Sequence, residues 1–256
     1  MVRGLEIFKK YFAGFPDNYV VIGGTACDII IDDEGLVPRV TKDIDIILVV
    51  EALSVDFVKQ FWQFIADGNY ERKEKSDDER KYYRFLKPEN SEFPFQVELF
   101  SRTPDVIDLE EGAHLTPIPV DDDLSSLSAI LLDDVYYGYM IEHSMVEKDI
   151  HRANIEALIC LKAKAFLEIS ERLKNGGKED PKHLKKHKGD VFRLALMLAP
   201  EDIYPLPDQI REHMRLFIAT IDGDLPHKDI FKEMGAGNID VEKIYNQIKV
   251  SFELAG

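Results

Sequence analysis

Leu5, Phe8, Tyr11, Phe12 and Phe15 recur every three to four residues, which predicts an amphipathic helix near the N-terminus. Tyr19, Val20, Val21 and Ile22 then run without a polar break and stop at Gly23 and Gly24. This reads as a short buried strand turning into a helix over Thr25 to Ile31. Arg39 to Lys42 lead into a segment over 43–50 whose tail, Ile46, Ile47, Leu48, Val49 and Val50, predicts a central strand covered on both faces. Phe57, Phe61, Phe64 and Ile65 predict a helix over 55–68, and 81–86 and 93–100 are two further strand candidates. Pro104, Pro117, Pro119 and the acids Asp121, Asp122 and Asp123 mark a connection over 102–123, with a last short strand over 116–120. From Asn154 onward the apolar positions keep helical spacing, first Ile155, Leu158, Ile159, Ala163, Phe166, Leu167 and Leu173, then Leu184, Val191, Phe192, Leu194, Ala195 and Leu198. The pattern predicts an α/β region over 1–123 followed by a helical domain over 124–256.

Composition narrows the class. The chain has 256 residues, 45% of them hydrophobic, enough for a sizeable core, which excludes the disordered and collagen-like classes. No uncharged stretch approaches the roughly 18 apolar residues of a membrane span, and the first residues lack the apolar core of a signal peptide. A soluble protein that needs no membrane is expected. Cys27 and Cys160 lie in apolar stretches without framework spacing, so no disulfide is expected and a cytoplasmic location is. The formal charge is −16, which argues against coating nucleic acid through bulk electrostatics. One segment breaks the acidic trend: Lys178, Lys182, His183, Lys185, Lys186, His187, Lys188 and Arg193. It reads as a solvated helix face or as a local landing place for phosphates.

Candidate chemistry concentrates in two places. A strand that closes on Gly23 and Gly24 and opens a helix lets a phosphate approach the first helical N–H groups, with the Thr25 hydroxyl as a further donor; it also reads as a plain tight turn. Asp43 and Asp45 are one residue apart, so on an extended strand both carboxylates project from one face while Ile44 and Ile46 point to the other. They read as ligands for Mg²⁺, which prefers carboxylate oxygen, or as solvated acids at a strand end. Glu98 sits alone among Phe95, Val97, Leu99 and Phe100, as a third carboxylate or as an edge residue. Three carboxylates on neighbouring strands facing a glycine turn are what two-metal phosphoryl chemistry needs.

The string GGTA, then RVTKDIDI, then the acid in VELF resembles the DNA polymerase β type nucleotidyltransferase superfamily. Within it, the Arg-x-Thr-x-Asp-x-Asp arrangement with EALICLKAKAFLEISER and KKHKGDVFRL is similar to the AbiEii-like group of abortive-infection toxins. The resemblance implies a nucleotidyltransferase fold with a small mixed sheet, a helical C-terminal domain closing the nucleotide cleft, and Asp43, Asp45 and Glu98 as catalytic and metal-binding residues. It assigns Gly23, Gly24, Thr25, Arg39, Thr41, Lys162 and Asp190 to the nucleotide, with Arg39 also read as the partner of an acid. Lys164 competes with Lys162, and two residues on a helix are about 200° apart, so one of the two faces the cleft. The chain departs from the family where NGGKEDPKHLKKHKGD replaces a short Arg-Asp-x-x-Asp-Leu element.

The expected activity is Mg²⁺- or Mn²⁺-dependent transfer of a nucleoside monophosphate from a nucleoside triphosphate to an acceptor hydroxyl, with release of pyrophosphate. By resemblance the acceptor is an RNA end or a protein hydroxyl, met near Lys182 to Arg193, and a cognate antitoxin is an implied partner. Two other readings stay open: a non-catalytic nucleotide-binding or regulatory protein on the same fold, and a metal-dependent phosphohydrolase.

Overall fold

The computed structural model describes residues 2–39, 41–71, 82–100, 130 and 133–254. The connection over 102–123 and its short strand lie outside them. The structure is α/β: a mixed six-stranded sheet flanked by helices. Its strands are β1 (Tyr19–Ile22), β2 (Asp43–Leu48), β3 (Tyr82–Leu86), β4 (Gln96–Phe100), β5 (Ser144–Glu147) and β6 (Ile150–Ala153), in the order β3-β4-β2-β1-β6-β5. The β1–β6 and β2–β4 pairs are parallel and the other neighbours antiparallel.

The chain forms two compact units. They are not the sequential stretches 1–123 and 124–256. The first comprises residues 1–29, 40–121 and 140–153, and the second 30–39, 122–139 and 154–256. The physical reason is that the β5–β6 hairpin, late in the chain, adds to the sheet through β6 alongside β1.

In the first unit, helices α1 (Leu5–Phe12) and α3 (Val55–Gly68) bring Phe8, Phe12, Phe57, Phe61 and Phe64 together. Tyr19 of β1 and Phe85 of β3 join this cluster, with ring centroids 5.3 Å for Phe8–Tyr19 and 5.6 Å for Phe61–Phe85. Each such edge-on pair adds about 0.5–1.5 kcal/mol beyond its buried area. Side chains alternate along a strand, so Arg84, next to Phe85, belongs to the opposite face. The antiparallel register pairs Arg84 with Glu98, and the parallel register pairs Glu98 with Asp45. The aromatic core therefore occupies one face of the sheet, and the row Arg84, Glu98, Asp45 lies on the other.

Among the described residues, the regular elements of the second unit are helical. α4 (Asp134–Glu142) supplies part of it, followed by α5 (Ile155–Lys174), α6 (Lys182–Ala195), α7 (Asp208–Ile221), α8 (Asp229–Glu233) and α9 (Val241–Ser251). Its core takes Leu158, Leu161 and Phe166 from α5, Val191 and Phe192 from α6, and Met214 and Phe217 from α7. No described helix is long and apolar enough to cross a membrane.

Candidate functional site

Gly23 is the first residue of α2 (Gly23–Asp33) and has φ +69°, a conformation only glycine adopts without strain. A Cβ there would stand 1.9 Å from Asp45 Oδ2, and one on Gly24 would stand 2.8 Å from Thr41 Oγ1. The two glycines thus let the β1–α2 turn run directly against Asp45 and Thr41. Thr25 is fully buried, and its hydroxyl donates to the Asp43 carbonyl at 2.5 Å. That bond fixes the start of β2 to the start of α2, so the Thr25 hydroxyl is engaged within the protein. One helical turn on, buried Asp28 accepts the Thr41 N–H at 2.9 Å, a second tie between α2 and the approach to β2.

Along β2 the burial alternates as the spacing predicts: Asp43 and Asp45 are half-buried, Ile44 and Ile46 fully buried. Asp43 stands opposite Gln96 and Asp45 opposite Glu98. Glu98 is 4% exposed and belongs to an inner strand, not to an edge. Its Oε1 accepts from Arg84 Nε at 2.6 Å and from Gln96 Nε2 at 2.7 Å. Burial, and then the Asp45 charge, push the Glu98 carboxyl from its ordinary 4.5 up to about 7; Arg84 opposes the rise and Asp43 adds to it.

This shift makes stability depend on pH. A carboxyl whose folded value is raised leaves stability intact below about pH 4.5, where both states keep the proton, and loses it as pH rises through about 7. The full loss amounts to about 3 kcal/mol. Urea unfolding at pH 5 to 8 with a chelator present is expected to show it as a stability gap between Glu98→Gln and wild type that widens with pH. A gap that does not change with pH would refute the assignment to Glu98.

The second unit holds a separate charged cluster. Lys162 of α5 is 1% exposed and places Nζ 3.4 Å from Asp190 Oδ2 of α6. Arg39 approaches the same oxygen at 3.4 Å, and Arg193, one turn beyond Asp190, approaches Oδ1 at 3.4 Å. The Val37 N–H donates to the Met234 carbonyl at 2.9 Å, which anchors the segment carrying Arg39. Among the described residues, three cations therefore meet one buried carboxylate. His187 is buried beside them; burial first, then Lys162, Lys186, His183 and Arg39, hold its pKa well below the ordinary 6.5, so it adds no charge. Lys164 points elsewhere: it is partly exposed and pairs with Glu168 at 3.6 Å.

The basic segment is not one solvated face. Lys182, His183 and Lys185 are exposed, whereas Lys188 bonds to Asp224 at 2.8 Å and Arg193 turns inward to Asp190. Arg84, Gln96 and Asp28 were not singled out by the sequence as site residues, and Arg193 was named only within the basic segment near which an acceptor is expected. Only Arg193 carried a local signal, its three-residue spacing from Asp190.

Among the described residues, no group of three His, Cys, Asp or Glu side chains is placed to hold a metal ion as it stands. Asp43, Asp45 and Glu98 are hard oxygen donors, suited in kind to Mg²⁺ or Mn²⁺ sharing further ligands with phosphate and water. In comparisons with protein-family models, curated proteins and solved structures, nothing matches the chain.

Proposed function

We propose that the protein is a nucleotidyltransferase that moves a nucleoside monophosphate from a nucleoside triphosphate to an acceptor hydroxyl. The observation that carries this reading is the pairing of Asp45 with Glu98 across parallel strands, with Asp43 on the same face and Gly23 against the Asp45 carboxylate. Asp45 and Asp43 raise the proton affinity of Glu98 on this strand face, and a divalent metal ion would bring the positive charge that offsets the three acids. Asp43, Asp45 and Glu98 are the residues that would hold Mg²⁺ or Mn²⁺, which when bound neutralises phosphate charge and lowers the pKa of a coordinated hydroxyl. The role of Gly23 and Gly24 toward the triphosphate rests on the resemblance; in the structure the two glycines bring the start of α2 directly against Asp45 and Thr41. Thr25, Asp28 and Thr41 keep that turn and β2 in place.

In this mechanism the Glu98 carboxylate accepts the proton of the acceptor hydroxyl. The acceptor oxygen forms the new bond to the α-phosphorus as the bond to the bridging oxygen breaks, and pyrophosphate leaves with that electron pair. A nucleotide role for Arg39, Lys162 and Asp190 rests on the resemblance. An RNA or protein acceptor, and a toxin role with a cognate antitoxin, rest on the resemblance alone.

The test is incubation of the wild-type protein with each α-labelled nucleoside triphosphate, Mg²⁺ and total cell RNA or protein. Label transferred to an acceptor, abolished by a chelator and by Asp43→Ala with Asp45→Ala, is the expected result. No transfer, with nucleotide binding that survives loss of both aspartates, would make the protein a non-catalytic nucleotide-binding module.

A further inference from the structure

Glu98 is gripped from one side. Arg84 faces it across the antiparallel β3–β4 ladder, Gln96 precedes it by two residues on β4, and both donate to Oε1. Among the described residues, Oε2 has no hydrogen-bond partner. The last torsion of a glutamate is broad and nearly two-fold, so a carboxylate held loosely presents either oxygen at a range of angles. Two donors converging on Oε1 at 2.6 and 2.7 Å remove that freedom. The guanidinium is planar and rigid, so it fixes orientation as well as charge; an ammonium on a flexible stem supplies the charge alone.

We infer that Arg84 and Gln96 are positioning residues that tie down Glu98 Oε1 and so fix Oε2 as the oxygen Glu98 offers to the reacting groups. The inference rests on the proposed transferase reading and adds to it two residues outside the Asp43, Asp45 and Glu98 set. A merely neutralising ion pair would tolerate lysine at position 84 and would be indifferent to Gln96. Outer residues that orient a ligating carboxylate are expected to matter in both respects.

Arg84→Lys keeps the positive charge and loses the planar Nε donor; Gln96→Met keeps the volume and loses the amide donor while leaving Arg84 in place. In each, kcat is expected to fall about tenfold to a hundredfold with the KM for nucleotide nearly unchanged. Mn²⁺ titration in the presence of a non-hydrolysable triphosphate, followed by electron paramagnetic resonance, is expected to show weaker binding in both variants. Wild-type kcat and wild-type Mn²⁺ affinity in both would overturn the inference while leaving the transferase reading standing. A wild-type protein that neither transfers nucleotide nor binds Mn²⁺ would overturn both together. If Arg84→Lys does not fold, Gln96→Met still decides the matter, because the intact Arg84–Glu98 pair continues to cover the buried charge.

Discussion

Asp45→Asn is expected to slow nucleotidyl transfer by about a thousandfold or more in a protein at least as stable as wild type above pH 7. The loss follows from the role proposed for the carboxylate: ligand-assisted charge neutralisation at phosphate is worth several kcal/mol, and each 1.36 kcal/mol is a decade in rate. The stability follows from the electrostatics of the apo protein. After burial, Asp45 is the largest cause of the raised Glu98 pKa, so a neutral side chain at position 45 relieves its neighbour. Asparagine also keeps the shape that Gly23 is built around, since the approach of that glycine to the Asp45 carboxyl leaves no room for a Cβ. An acid retained for structure gives the opposite pattern, with stability falling and no specific effect on rate. Single-turnover label transfer at saturating nucleotide, together with urea unfolding at pH 8, measures both quantities. Transfer within a few-fold of wild type would remove Asp45 from the chemistry.

The features legible in the sequence are those with a short period. One residue between Asp43 and Asp45 was enough to place both on one strand face, because alternation is a local property of extended backbone. The 200° between Lys162 and Lys164 was likewise local, and the structure sends the first inward to Asp190 and the second out to Glu168. What joins Asp45 to Glu98 and Glu98 to Arg84 is strand register, which no single segment encodes. Arg84 stood in a recognised strand candidate, but its partner was set by a strand pairing formed elsewhere in the chain. The β5–β6 hairpin escaped for another reason. Its turn residues, Lys148 and Asp149, have φ of 49° and 63°, a left-handed pair usually announced by Asn-Gly or Gly, and its apolar Met145 and Val146 are exposed. Missing that hairpin moved the expected boundary, because a sheet completed by late strands cannot end at residue 123.

Asp190→Ala is expected to cost about 3–5 kcal/mol of stability, because removing one partner of a buried ion pair leaves the other charged in a dry site. Lys162, whose side chain is 2% exposed, loses its contact with Asp190 Oδ2; Arg193 keeps Glu233 at 3.5 Å and Arg39 is partly solvated. Replacing both members, as in Lys162→Met with Asp190→Leu, is expected to recover much of the stability, since an apolar pair of similar volume is often no worse than a buried salt bridge. The double variant then separates two roles that the single variants confuse. If the pair serves the fold alone, the recovered protein binds nucleoside triphosphate as wild type does. If Lys162 holds phosphate, the protein regains its urea midpoint and still binds triphosphate more weakly, with the deficit growing from mono- to triphosphate as more charge is presented to the missing ammonium. Equal affinity across that series in the recovered double variant would assign Lys162 and Asp190 to the fold and leave the nucleotide to other residues.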